Sequence, residues 1–313
     1  MRRHRAKSPF AVLTATTAIV LCLSSSGFAA PLVAAEKAPP GTVSFPVVVK
    51  SGDGNVTIPR RPARILSLSA SATQMLYAIG AGGQVVGVDK YSSYPANAPR
   101  TKFTGAETSA EDYLYLHPDL VVLAYQSGNL VQQLKLLHIP ALILPAAANF
   151  GDVDGQLTEL GEATGHLAGA HRVASSLSAA IQRAVAKAGN ARRGQTYYVE
   201  LDPTFYSATS RTFIGAELSL FGLRNIADAA GHGTAWPQVS AEFVLKANPQ
   251  WVFLADTVCC GATAASFAHR PGFSILRAVH LHHVIGLNDS LASEWGPHSI
   301  EQLLNVLAAA LRQ

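Results

Sequence analysis

The residues best suited to chemistry are two adjacent cysteines, Cys259 and Cys260, a histidine group at His280, His282 and His283, and the neighbours His298 and Ser299. Adjacent cysteines cannot tie distant segments together, so a vicinal disulfide or two free thiols are the states open to them. A zinc site needs converging ligands; in a strand, His280 and His282 share a face that His283 opposes. His298 and Ser299 are a base and a hydroxyl side by side, and adjacency alone does not make a nucleophile–base pair. The sequence holds no G-x-S-x-G elbow, no phosphate-binding P-loop and no G-x-G-x-x-G after a strand, which argues against an enzyme.

A different pattern carries more weight. Ser109–Tyr125, SAEDYLYLHPDLVVLAY, aligns without a gap on Ser240–Asp256, SAEFVLKANPQWVFLAD, with eight of 17 positions identical. Each copy predicts a serine N-cap, a short helix with Glu111 or Glu242 in its first turn, and a proline before a buried strand. By itself, such a glutamate does no more than favour its own helix terminus, worth about 0.3–1 kcal/mol. Two copies so far apart imply two similar lobes rather than a solenoid of short repeats. Tyr125, Asp256 and Asp289 fall just past predicted strands, the place where open α/β sheets bind ligands.

The elements that must position these groups alternate. Strands are expected at Ile65–Ser69, Val85–Asp89, Val121–Ala124 and Ala141–Leu144, with a helix at Ala72–Ile79 stopped by Gly80. A second set follows at Thr196–Leu201, Val252–Ala255 and Val284–Leu287, and a helix at Ser299–Leu311 closes the chain. This βαβ order implies an α/β fold of two lobes with mostly parallel sheets. Between the sets, Val173, Leu177, Ile181 and Val185 form a stripe at spacing four, predicting one long helix from about 166 to 190. The N-lobe is then about 63–165 and the C-lobe about 191–313. Residues 31–62 read as a linker with one short strand at Val47–Lys50.

The first 30 residues resemble an export signal: Arg2, Arg3, Arg5 and Lys7, an apolar run from Phe10 to Leu23, then small residues. Cleavage is expected after Ala30 or after Ala35, placing the protein in the periplasm or an equivalent extracytoplasmic space. The run is short for an anchor, which needs about 20 apolar residues. The formal net charge of +4 equals the four charges of this segment. The remainder carries no net positive field to draw nucleic acid.

The stretch RILSLSASATQMLYAIGAGGQVVGVDKYSSYP, Arg64–Pro95, resembles the opening of the periplasmic binding proteins for cobalamin, iron-siderophores and haem. ELDPTFYSA, AWPQVSAEFVL and RPGFSILRAV resemble their second lobe. The resemblance runs from about Arg64 to the C-terminus. It implies two α/β lobes joined by one long helix, and a monomeric, non-enzymatic protein without a cofactor. Such a protein binds a metal chelate and delivers it to an ABC importer's permease dimer.

The cobalamin-binding members are the nearest in motif. That resemblance implies ligand contact by Tyr91, Tyr94, Tyr125, Phe205, Trp236 and Asp289, and permease docking by Glu111 and Glu242. Aromatic side chains suit the broad apolar faces of a corrin or porphyrin. Thr104-Gly105-Ala106 stands where cobalamin binders often have an aromatic, and Ser293 where an arginine is expected. An iron-siderophore or haem therefore remains the alternative ligand, followed by a bare metal ion. A receptor's sensor domain is a further class, and would continue after Leu311 into an apolar span or signalling domain.

Overall fold

The computed structural model describes residues 42–104, 110–126 and 128–312, all within the compact unit Pro39–Gln313. The expected export segment, and residues 105–109 with the expected cap Ser109, lie outside the described residues.

The chain opens with a hairpin, β1 (Val47–Ser51) and β2 (Gly54–Ile58). This corrects the expectation of a linker with one strand over 31–62. Val49 and Ile58 are fully buried in the main core, and the Gly52 amide donates to the Ile143 carbonyl at 2.8 Å. Alternation within β2 is weak because Gly54, Asn55 and Thr57 face outward, so the periodicity is hard to see in sequence.

The N-lobe follows: β3 (Ile65–Leu68), α1 (Ala70–Ile79), β4 (Val85–Val88), β5 (Leu120–Leu123), α2 (Leu130–Leu136), β6 (Ala141–Ile143) and α3 (Phe150–Thr164). Ser69 caps α1 by accepting from the Ala72 amide, and Gly80 ends it at φ 97°, a backbone that glycine adopts without Cβ strain. Then α4 (Leu167–Ala188) forms one continuous helix, ended by Gly189. At 1.5 Å per residue it is about 33 Å long. Its stripe is inward: Leu177 is buried, and Val173, Ile181 and Val185 pack against the core.

The C-lobe comprises β7 (Thr196–Glu200), α5 (Phe213–Leu220), β8 (Arg224–Asn225), α6 (Ala241–Ala247), β9 (Trp251–Leu254), α7 (Ala264–Ala268), α8 (Arg277–His280), β10 (Val284–Gly286) and α9 (Asp289–Ser293). The last helix, α10 (Pro297–Ala310), returns to pack on α4 and α1. By its packing it belongs to the bridge and N-lobe rather than to a C-lobe running to 313.

Both sheets are parallel throughout and share one topology. The N-lobe order is β4-β3-β5-β6, and the C-lobe order is β8-β7-β9-β10. In each, the second strand flanks the first, and the third and fourth extend the other edge. The central strands β3, β5 and β9 are buried at every position, as strands covered on both faces must be. The repeated unit thus marks a real duplication of architecture.

Polar contacts join the lobes at the bridge. Gln74 of α1 donates to Glu294 at 2.5 Å and to Ser299 at 2.8 Å, and accepts from the Ser299 amide at 3.0 Å. Trp295 donates through its amide to Ser71 at 3.0 Å and through its indole to Gln156 at 2.8 Å. Gly296 is needed here, because a Cβ at that position would lie 2.3 Å from the Gln74 side chain.

Candidate ligand cleft and docking surface

The loop after β4 carries Tyr91 and Tyr94. Asp89 anchors it by accepting from the Ser92 amide at 2.9 Å and from the Ser92 hydroxyl at 2.6 Å. Arg100 donates to the carbonyls of Ser92 and Ser93. Burial pushes the Asp89 carboxyl up, against these hydrogen bonds. The loop is fixed, while Tyr91 stands 63% exposed with Lys90 over its ring. Tyr94 is also exposed, but its ring stacks on His298 at 3.6 Å between centroids. That pair lines a cavity of about 420 Å³ with Gln74, Tyr77 and Glu301. Tyr125, two residues past β5, is 54% exposed.

In the C-lobe, the loop after β7 pairs with the loop before α6. Ser207 donates to the Pro237 carbonyl, Thr209 to Ala235, and Val239 to Phe205. This ladder presents Trp236, 50% exposed, and Tyr206, which is exposed as well. Tyr206 was missed as a candidate; its place beside Phe205 in ELDPTFYSA was the available signal.

Phe205 behaves differently from the other aromatics. Its backbone is left-handed, φ 69°, and its ring is half-buried against Phe273 and the Arg270 guanidinium. Arg270 in turn forms a bidentate pair with the fully buried Glu200, both contacts at 2.7 Å. Beside it, Asp256 is fully buried, and among the described residues neither of its carboxylate oxygens has a hydrogen-bond partner. Burial and then the charge of Glu200 push its carboxyl up to about 6. Once protonated, Asp256 can donate to Glu200.

Asp289 opens α9 and holds the neighbouring loop. It accepts from the Val258 amide at 2.9 Å and the Cys259 amide at 2.7 Å. Partial burial acts to raise its pKa, but these hydrogen bonds outweigh it and leave the carboxyl below its usual value. Of the two states open to the cysteines, the structure has free thiols, both exposed.

The histidine group is not laid out along a strand. His280 ends α8, His282 is left-handed at φ 57°, and His283 stacks on Trp251 at 3.7 Å. No cluster of three metal-ligating side chains occurs among the described residues.

Glu111 lies in a 3-10 helix, Ala110–Leu116, and Glu242 in α6, each exposed in the first turn. The Ser240 hydroxyl accepts from the Phe243 amide at 3.1 Å, as the repeat predicts. Each helix runs back before its parallel strand, so its N-terminus lies toward the strand's carboxyl end, on the side of the exposed aromatics.

A cavity of about 770 Å³ lies elsewhere, between Arg224, Asn225 and Phe243 of the β8–α6 edge, and contains none of the anticipated ligand residues.

Two α/β lobes of one topology on a single continuous helical bridge, with aromatics at the carboxyl ends of both sheets, define a solute-binding protein of an ABC transporter. The chain belongs to the periplasmic binding protein family, which it matches over residues 65–291. It is 30% identical over 276 residues to an uncharacterized ABC transporter substrate-binding lipoprotein, YvrC, of Bacillus subtilis (strain 168), covering 85% of each chain. It is 30% identical over 271 residues to a cobalamin-binding protein of Halobacterium salinarum, covering 83% of this chain and 70% of that one. The periplasmic heme-binding protein RhuT from Roseiflexus sp. RS-1 shares the fold, with a TM-score of 0.70 and 23% identity over 80% of this chain and 98% of that chain.

Proposed function

We propose that this chain is exported, binds one corrinoid per monomer between its lobes, and presents it to a two-fold permease pair. The observation that carries the reading is the set of exposed rings, Tyr91, Tyr125 and Trp236, at the ligand side of both sheets. Tyr91 and Trp236 stand on hydrogen-bonded loops, and a corrin offers broad apolar faces that such rings can cover. Asp289 supplies an ionised acceptor for the amide groups at a corrin's rim. The likeness to a cobalamin-binding relative supports the same ligand.

Haem is the second reading, favoured by the Tyr94–His298 stack. Tyrosine and histidine are both haem-iron ligands, and here they are already side by side. The absorption spectrum of the protein as purified tests the choice. A corrinoid spectrum supports the proposal, whereas a Soret band assigns haem.

Glu111 and Glu242 serve as one acidic knob per lobe. Two identical permease subunits would offer a matched pair of basic pockets, and bidentate arginine–carboxylate pairing gives both orientation and energy.

A further inference from the structure

The loop from Thr257 to Ala262 is held on every side, and its two thiols remain unused by ligand binding as proposed above. The Asp256 carbonyl accepts from the Cys260 amide at 3.3 Å and the Ala262 amide at 3.2 Å. Thr257 donates to the Leu287 carbonyl at 2.6 Å. Asp289 takes the Val258 and Cys259 amides, and Gly261 turns the chain at φ 68°. The loop follows β9, a central strand of the C-lobe sheet, so both sulfurs stand exposed at the ligand side of the molecule. The third cysteine, Cys22, lies in the export segment, so after cleavage each thiol has only the other as an intramolecular partner.

We propose that Cys259 and Cys260 are a reversible thiol–disulfide site, closed into a vicinal disulfide by exchange with a disulfide oxidant of the extracytoplasmic space. The chemistry is a double exchange. The Cys260 thiolate attacks one sulfur of the oxidant's disulfide, forming a mixed disulfide and expelling one thiolate. Cys259 then loses its proton and attacks the Cys260 sulfur, forming the internal S–S bond and expelling the second thiolate. The protein loses two S–H bonds, and the oxidant is reduced to two thiols.

Covalent geometry makes the site a switch rather than a permanent staple. Neighbouring Cα atoms are about 3.8 Å apart across a trans peptide, closer than the roughly 4.4–6.8 Å that disulfides prefer. The ring is therefore strained and open to mild reductants.

The oxidant rests on the exported location proposed above. The ring closure does not depend on which ligand is bound, so its failure leaves the ligand reading standing. Full-length mature protein is incubated with oxidised glutathione, alkylated, and weighed intact. The proposal predicts loss of both alkylatable thiols, no retained glutathione, and a mass lower by two hydrogens. Dithiothreitol restores two alkylation sites. Cys259→Ser should instead trap one glutathione on Cys260. Two alkylated thiols after oxidation, or a stable glutathione adduct on the wild-type protein, would overturn it.

Discussion

His117 and Asn248 hold the same position in the two copies of the repeated unit, and both close it with a left-handed backbone, φ 44° and 45°. Each amide donates back into its helix, His117 to Leu114 and Asn248 to Val244, at 2.9 Å. Left-handed geometry ends a helix with little strain only in glycine or asparagine. His117→Gly is therefore expected to leave stability unchanged or raise it by up to about 1 kcal/mol, while His117→Val lowers it by about 1–2 kcal/mol. Denaturant midpoints measured on the mature protein check both.

Glu217 gives a stability signature of its own. It lies on the inward face of α5 with Phe213, Ile214 and Leu218, and among the described residues neither carboxylate oxygen has a hydrogen-bond partner. Burial holds its pKa well above that of a free glutamate. A carboxyl whose pKa is raised by folding binds more protons folded than unfolded, so stability falls as pH rises above the unfolded value. Asp256 acts in the same direction between its ordinary 3.8 and about 6. His166 and His283, whose pKa values burial lowers, act the other way below their ordinary 6.5, so the signature is read as a difference: Glu217→Gln should lose less melting temperature than the wild type as pH rises from about 5 to about 8. Equal pH dependence of the wild type and Glu217→Gln would contradict this.

Much of this architecture was legible because single residues announce it. The stripe through Leu177, the stop at Gly80 and the Ser240 cap of α6 each follow from local chemistry. What escaped depends on tertiary partners. β8 is two residues long and exists only as a neighbour to β7. Phe205 reads as a free aromatic, yet Arg270, 65 positions later, draws it into the C-lobe core. His283 reads as one of three alternating histidines, but stacks on Trp251 because the strand begins after it. The ladder that presents Trp236 joins loops whose pairing no periodicity reveals.

The bridge predicts little movement on ligand binding. Gly169 packs against the end of α1, where an added Cβ would sit 2.0 Å from the Ile79 carbonyl oxygen. With Trp295 and Gln74 also spanning the bridge, few residues are placed to absorb a large hinge rotation. X-ray scattering with and without bound chelate should give nearly the same radius of gyration; a marked contraction would contradict the rigid bridge. Gly169→Ala should destabilise the protein by about 1–3 kcal/mol through overpacking.

Docking should separate from capture. Glu111→Ala and Glu242→Ala are expected to leave chelate affinity unchanged and impair uptake into vesicles carrying the permease, with the double variant worst. Added salt should weaken wild-type docking, since exposed pairs are screened. Normal uptake by the double variant would reduce both glutamates to helix-end residues.

The most direct measurement is calorimetric titration of the mature protein with cyanocobalamin, run in parallel with haem and a ferric siderophore. The account predicts saturable binding of the corrinoid at one per chain. Trp236→Ala should weaken it by about 1–3 kcal/mol, as expected for a buried aromatic anchor. Binding of haem or the siderophore without any response to cyanocobalamin would contradict the corrinoid assignment, and no response to any of the three would contradict chelate capture itself.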